Sequence, residues 1–147
     1  MTKVDIASLY QGIIVNHAKE PLNYGKLDSF SHCFEGYNAL CGDKILVYLK
    51  VKDSRIEEMK FESAACAICN ASASMLSERI KGLLIEDWES FFDDFRRFIA
   101  SPHNPQSSTS SLGKSLESFK ALKNFPGRKQ CALLPWKTLE NALSNEV

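Results

Sequence analysis

The amino-acid sequence predicts an α+β protein, with a small antiparallel sheet of about three strands packed against several helices. Three observations carry this expectation. Apolar residues recur at helical spacing near the N-terminus, two adjacent segments then alternate strictly around a short polar turn, and helical periodicity returns and persists to the C-terminus. Strands grouped together and followed by a run of helices point to α+β rather than to alternating α/β units.

The elements follow in order. Ile6, Leu9, Tyr10, Ile13 and Ile14 mark a helix over about 5–18, and Pro21 with Gly25 marks its exit. Lys44 to Val51 sets Ile45, Val47, Leu49 and Val51 against Lys44, Leu46, Tyr48 and Lys50, the period of a strand. Lys52-Asp53-Ser54 supplies a turn. Ile56 to Glu62 continues the sheet, with Met59 and Phe61 opposed by Lys60 and Glu62, and Phe30 to Tyr37 supplies a less regular third strand.

From Cys66 the pattern is helical, because Cys69, Ala73, Leu76 and Ile80 share one face, with Gly82 as a stop. Trp88, Phe91, Phe92, Phe95 and Phe98 form an aromatic stripe on a helix from about 86 to 99, read as core. The polar, breaker-rich stretch near 101–111 reads as a surface loop too short to divide domains, so residues 1–147 form one domain in this reading. Leu112, Leu116, Phe119 and Leu122 predict a further helix ended by Pro126-Gly127. Trp136, Leu139 and Leu143 predict the last helix, beginning near Cys131 and carrying Pro135 early, where some backbone donors lack a partner anyway.

Composition narrows the function classes. At 147 residues with 44% hydrophobic content, one ordinary core suffices, burying roughly two-thirds of the unfolded surface. Eighteen basic and 18 acidic residues balance to a formal charge of +0, which argues against a nucleic acid as main partner. No membrane-length apolar run and no signal-peptide core is present, so the expected location is cytoplasmic, with no membrane partner. Five irregularly spaced cysteines fit a reducing compartment and free or metal-bound thiols better than a disulfide framework.

Three of these cysteines stand where chemistry is favoured. Cys41-Gly42-Asp43 precedes a strand, and the glycine allows a sharp turn that presents a thiol and a carboxylate together. Taken alone, such a triplet is more often a structural turn. Cys66 lies where strand passes into helix and Cys131 lies at another helix start after Arg128-Lys129, positions that favour a thiolate. Three thiolates and a carboxylate complete a tetrahedral zinc set that only tertiary folding can assemble, and small buried hydrophobes are the alternative. Cys69 and Cys33 read as core thiols, while Cys66 and Cys69 also have the Cys-x-x-Cys spacing of a redox pair, without the expected β-α-β surroundings. His17, His32 and His103 read as surface or packing residues. Arg128 reads as a solvated charge, or as a residue orienting a ligand three positions before Cys131.

From about Tyr10 to Leu143 the chain resembles the IscU/NifU N-terminal family, and particularly its SufU-type branch. The landmarks are the run from His17 through Pro21 and Asn23 to Gly25, Gly36-Tyr37-Asn38-Ala39-Leu40-Cys41-Gly42-Asp43, Cys66-Ala67-Ile68 with Ala71-Ser72, and Phe125-Pro126 through Arg128 to Cys131-Ala132. The resemblance implies that Cys41, Asp43, Cys66 and Cys131 hold zinc or, alternatively, a transient iron–sulfur cluster. The long stretch between Cys66 and Cys131, and Gln130 in place of a histidine, select the SufU-type branch; the Leu-Pro-Pro-Val-Lys chaperone motif is absent.

That branch implies partnership with a SufS-type cysteine desulfurase and with downstream iron–sulfur assembly proteins. It also implies a sulfur relay in which Cys41, released from zinc by ligand exchange, takes the terminal sulfur of a persulfide. A scaffold for cluster assembly and a structural zinc adaptor are the competing readings. Ser63 and Ala65 stand where the family has glycines, and Cys69 is an additional thiol.

Overall fold

The computed structural model describes residues 6–100 and 112–146. The stretch expected to loop near 101–111, and His103 with it, lies outside the described residues.

Helix α1 (Ile6–Lys19) leads through a turn-rich segment into strands β1 (His32–Asn38), β2 (Asp43–Lys52) and β3 (Arg55–Ala64). The sheet is antiparallel in the order β1-β2-β3, as the alternation predicts. Asp53 and Ser54 both have positive φ, 53° and 62°, which suits a two-residue turn whose twist matches that of the strands. Ile45, Val47, Leu49, Ile56, Met59 and Phe61 are buried on the helix-covered face. On the other face the Phe30 ring covers Tyr48 at 5.1 Å.

Helix α2 (Ala67–Arg79) is buried on nearly every side from Cys69 to Ser77, where the sequence pattern predicts a single apolar face. Alanine and serine occupy the other faces, so α1 and α5 approach closely, and each buried serine hydroxyl finds a partner. Ser72 Oγ donates to the Ala132 carbonyl at 2.6 Å and accepts the Trp136 indole N–H at 3.1 Å. Ser74 Oγ accepts the Leu22 amide at 2.8 Å, and Ser77 Oγ donates to the Ser74 carbonyl at 2.7 Å.

A 3-10 turn (Ile85–Asp87) opens into α3 (Trp88–Ala100), whose aromatic stripe is core. Phe95 stacks on Trp136 with ring centroids 4.1 Å apart and planes 7° from parallel. The helix expected from Leu112 to Leu122 is instead a short α4 (Lys114–Glu117) continued by a 3-10 helix over Ser118–Asn124. Leu116, Phe119 and Leu122 are three apart, and a three-residue turn places all three on the buried side.

Helix α5 (Lys129–Leu143) starts two residues before Cys131, so Pro135 is interior to it rather than in the first turn. Its missing N–H removes the usual helical donor to the Cys131 carbonyl. Burial of Trp136, Leu139 and Ala142 offsets that loss. α5 lies close over β1 because Gly36 faces Thr138: a Cβ at Gly36 would stand 1.9 Å from Thr138 Oγ1. Among the described residues, no helix is long and apolar enough to cross a membrane.

Candidate metal centre

Four backbone segments meet at one end of the sheet. The hairpin between β1 and β2 carries Cys41 at its tip, where Gly42 takes φ +71° and its amide donates to the Asn38 carbonyl at 2.8 Å. Asn38 Oδ1 also accepts the Leu40 amide at 3.1 Å, which holds the loop from inside. Asp43 opens β2 and is buried, Cys66 caps the N-terminus of α2, and Cys131 lies buried in the first turn of α5. Cys41 is exposed.

The carboxylate of Asp43 is the hub. Its Oδ1 accepts the Cys66 amide N–H at 2.8 Å, while Oδ2 accepts the Cys41 thiol at 3.2 Å and the Cys66 thiol at 3.3 Å. The Cys41 and Cys131 sulfurs are 3.5 Å apart. Ligand atoms of Cys41, Asp43 and Cys131 all lie within 4.8 Å of one another. Cys66 stands outside that mutual triad and joins it through Asp43 and through its contact with Cys131. Its side chain makes no capping hydrogen bond to α2, so the sulfur turns to the carboxylate rather than to the free amides expected from its position.

The electrostatics follow from this packing. Burial opposes ionisation of Asp43, but hydrogen bonds from Cys41, from the Cys66 amide and thiol, and from Cys131 outweigh it and hold the carboxyl below its ordinary range. Cys131 is pushed up, first by burial and then by the neighbouring Cys41 and Cys66 sulfurs. Without a metal, crowding of thiols in a buried site opposes the thiolate expected from the helix-start position and nearby cations. Arg128 is exposed and faces the same sulfurs, with Cys131 first and Cys66 next holding its guanidinium charged.

The donor set fits a zinc ion chemically. Zinc–sulfur bonds of about 2.3 Å at tetrahedral angles imply ligand separations of about 3.5–3.8 Å, close to the 3.5 Å between the Cys41 and Cys131 sulfurs. A dication would also reverse the upward push on Cys131, because a coordinated thiol is deprotonated.

The remaining candidates fall elsewhere. Cys69 is fully buried on α2, its thiol raised by burial first and then by the Asp43 charge, and the three strands of the sheet pair antiparallel rather than as β-α-β. Cys33 is half-buried on β1, pushed up by burial and by Glu35. His17 Nδ1 pairs with Ser74 Oγ at 2.7 Å and His32 Nδ1 with Ser31 Oγ at 2.8 Å, both packing roles.

Three contributors are not evident from residue types alone. Leu40, 93% exposed, and Phe125, 54% exposed, wall a cleft of about 600 Å³ onto which Cys41 and Cys131 open. An apolar residue in a tight turn beside a cysteine is the one signal that marks Leu40. Ser72 ties α2 to the turn of α5 that carries Cys131, and the sequence marks it as part of the Ala71-Ser72 landmark but not for this role.

Fold and cluster together define a class: small α+β proteins that gather thiols and one carboxylate from a hairpin tip, a strand start and two helix starts into a candidate metal centre. The model of the NifU-like N-terminal domain matches residues 9–143, and the chain belongs to that family. It is 35% identical over 135 residues to the iron–sulfur cluster assembly scaffold protein IscU of Thermotoga maritima, covering 92% of each chain. It is 34% identical over 142 residues to the zinc-dependent sulfurtransferase SufU of Bacillus subtilis, covering 97% of this chain and 94% of that one. A solved structure from Fervidobacterium islandicum AW-1, described as a candidate iron–sulfur cluster assembly scaffold for the SUF system, superposes with a TM-score of 0.81 at 31% identity, covering 89% and 93%.

Proposed function

We propose that this chain is a zinc-dependent sulfur acceptor in iron–sulfur cluster assembly, taking persulfide sulfur onto Cys41 from a SufS-type cysteine desulfurase and passing it to downstream assembly proteins. The observation that carries this reading is the position of Cys41: it is the exposed thiol of the cluster, on a hairpin tip beside an open cleft, while Cys131 is buried behind it. Similarity to the Bacillus subtilis protein supports the choice of metal and reaction.

Cys41, Asp43, Cys66 and Cys131 would hold the ion, which when bound keeps coordinated thiols deprotonated. The chain's own residues do the rest. Gly42 and Asn38 position the hairpin so that Cys41 reaches the cleft. The Cys41 thiolate attacks the outer sulfur of the donor persulfide, the sulfur–sulfur bond breaks, and the donor cysteine leaves as a thiolate. Arg128 offers a fixed positive charge beside the sulfurs as that negative charge moves. Leu40 and Phe125 present exposed apolar side chains at the rim, a surface that a docked donor would cover. A cytoplasmic setting belongs to this reading, since the five cysteines are free thiols, as a reducing compartment keeps them.

The test is desulfurase turnover with L-cysteine, with and without the chain. Stimulation that disappears in Cys41→Ala, with about one zinc per chain in the wild type, supports the reading. No stimulation by folded, zinc-loaded protein overturns it.

A scaffold role is the second reading, favoured by the three converging thiols and by similarity to the Thermotoga maritima protein. Anaerobic reconstitution with iron and sulfide, followed by transfer to an apo-acceptor, separates the two.

A further inference from the structure

The Cys41 and Cys131 sulfurs are in contact at 3.5 Å, one at the surface and the other buried behind it. Cys66 is not a member of the mutually close set: it contacts Asp43 and Cys131, while Cys131 is the thiol in contact with Cys41. A persulfide on Cys41 therefore has one immediate thiol neighbour. Cys41 and Cys131 line the same cleft, which leaves room for the outer sulfur beside the two contacting sulfurs. Attack on the inner sulfur needs a second thiol in contact with it and space for the leaving atom, and the pair at the open cleft supplies both.

We propose that Cys131 resolves a Cys41 persulfide within the chain, releasing sulfide and leaving a Cys41–Cys131 disulfide. This rests on the sulfur-acceptor reading above and adds a second fate for the accepted atom. The Cys131 sulfur bonds to the Cys41 sulfur, the bond from Cys41 to the outer sulfur breaks, and its electron pair leaves with that atom as hydrosulfide. Cys131 reacts as the buried thiol described above, so its proton passes to the departing sulfur or to water as the new bond forms. The outer sulfur is reduced by two electrons, and the two cysteine sulfurs supply one each. No other reductant is needed for the release, and an external dithiol returns the disulfide to two thiols.

Two features of the fold support the step. Gly42 follows Cys41 on an exposed hairpin tip with open space around it, so the loop can close the separation of the two sulfurs. Arg128 faces the sulfurs and offers its charge to the anions that form and leave. The step requires both thiols free of metal. An iron–sulfur cluster needs sulfide rather than sulfur at the oxidation level of a persulfide, so this pair would supply the required reduction internally.

The experiment treats the reduced, chelator-treated full-length chain with a small-molecule alkyl hydropersulfide, bypassing any desulfurase. Released sulfide is trapped as a fluorescent adduct, and intact mass and disulfide mapping follow the protein. The expected result is about one sulfide per chain and a disulfide mapped to Cys41–Cys131. In Cys131→Ser and Cys131→Ala, the added sulfur stays on Cys41 and sulfide release falls at least tenfold. Cys33→Ser behaves as wild type.

Retention of the added sulfur on wild-type Cys41 as long as in the Cys131 variants overturns the proposal. So does a disulfide mapped to Cys66 or Cys69, or no loading of Cys41 in folded chain. A chain that loads and resolves the chemical persulfide but takes no sulfur from a desulfurase keeps this inference and faults the sulfur-acceptor reading alone.

Discussion

Asp43 Oδ1 accepts the Cys66 backbone amide at 2.8 Å, so the first residue of β2 is fastened to the N-terminus of α2 by the same carboxylate whose other oxygen contacts two thiols. Removing it therefore has two separable consequences. Asp43→Ala leaves the part-buried Cys66 amide without its acceptor and should lower stability by about 1–3 kcal/mol, and it should also weaken metal binding. Asp43→Asn keeps a carbonyl oxygen for the Cys66 amide and should recover most of the stability while metal binding stays weakened. Urea denaturation of the chelated protein beside metal analysis reads the two effects apart.

Gly36 and Thr138 define how close α5 lies to β1. A methyl at Gly36 would meet Thr138 Oγ1 at 1.9 Å and Thr138 Cβ at 3.0 Å. Gly36→Ala should destabilise by about 1–3 kcal/mol through overpacking. Adding Thr138→Ala removes the nearest atom and should recover part of the loss; equal stabilities of the single and double variants would refute the clash.

Ser72 links α2 to α5 by two hydrogen bonds beside Cys131. In Ser72→Ala the Trp136 indole N–H loses its partner in a buried site, and the expected cost is about 1–3 kcal/mol. Because Ala132 adjoins Cys131, zinc affinity measured by chelator competition should fall as well. Unchanged stability and affinity would mean that aromatic packing alone holds the helices.

His17 carries a pH dependence. Burial first lowers its pKa below 6.5, with Glu78 opposing the shift, and Ser74 Oγ lies against its Nδ1. The unfolded chain thus binds this proton more readily than the folded one. The His17 contribution to stability should be complete above pH 6.5 and decline as pH falls from 6.5 toward the lowered folded value. Urea midpoints compared at pH 7.5 and 5.5 should drop less in His17→Gln than in the wild type.

Much of this molecule follows from its sequence alone. Alternation at Ile45, Val47 and Leu49 determined the central strand, because side chains point to opposite faces every second residue and only one face packs beneath helices. The aromatic stripe from Trp88 to Phe98 determined the core face of α3 by the same reasoning at helical period. Cys41-Gly42-Asp43, Cys66 and Cys131 stood out by local context, since a glycine turn and two helix starts are written in neighbouring residues.

What local pattern does not carry, the tertiary structure decided. Three-residue spacing from Leu116 to Leu122 suits a 3-10 or an α-helix, and only packing selected the former. Pro135 sits inside α5 because burial of Trp136 and its neighbours outweighs one lost backbone hydrogen bond. The push on Cys131 and the turning of the Cys66 sulfur toward Asp43 depend on atoms brought together from distant parts of the chain. Desolvation and charge act through space, so residue order alone supplies the candidates for a site while the packed fold decides which thiols touch.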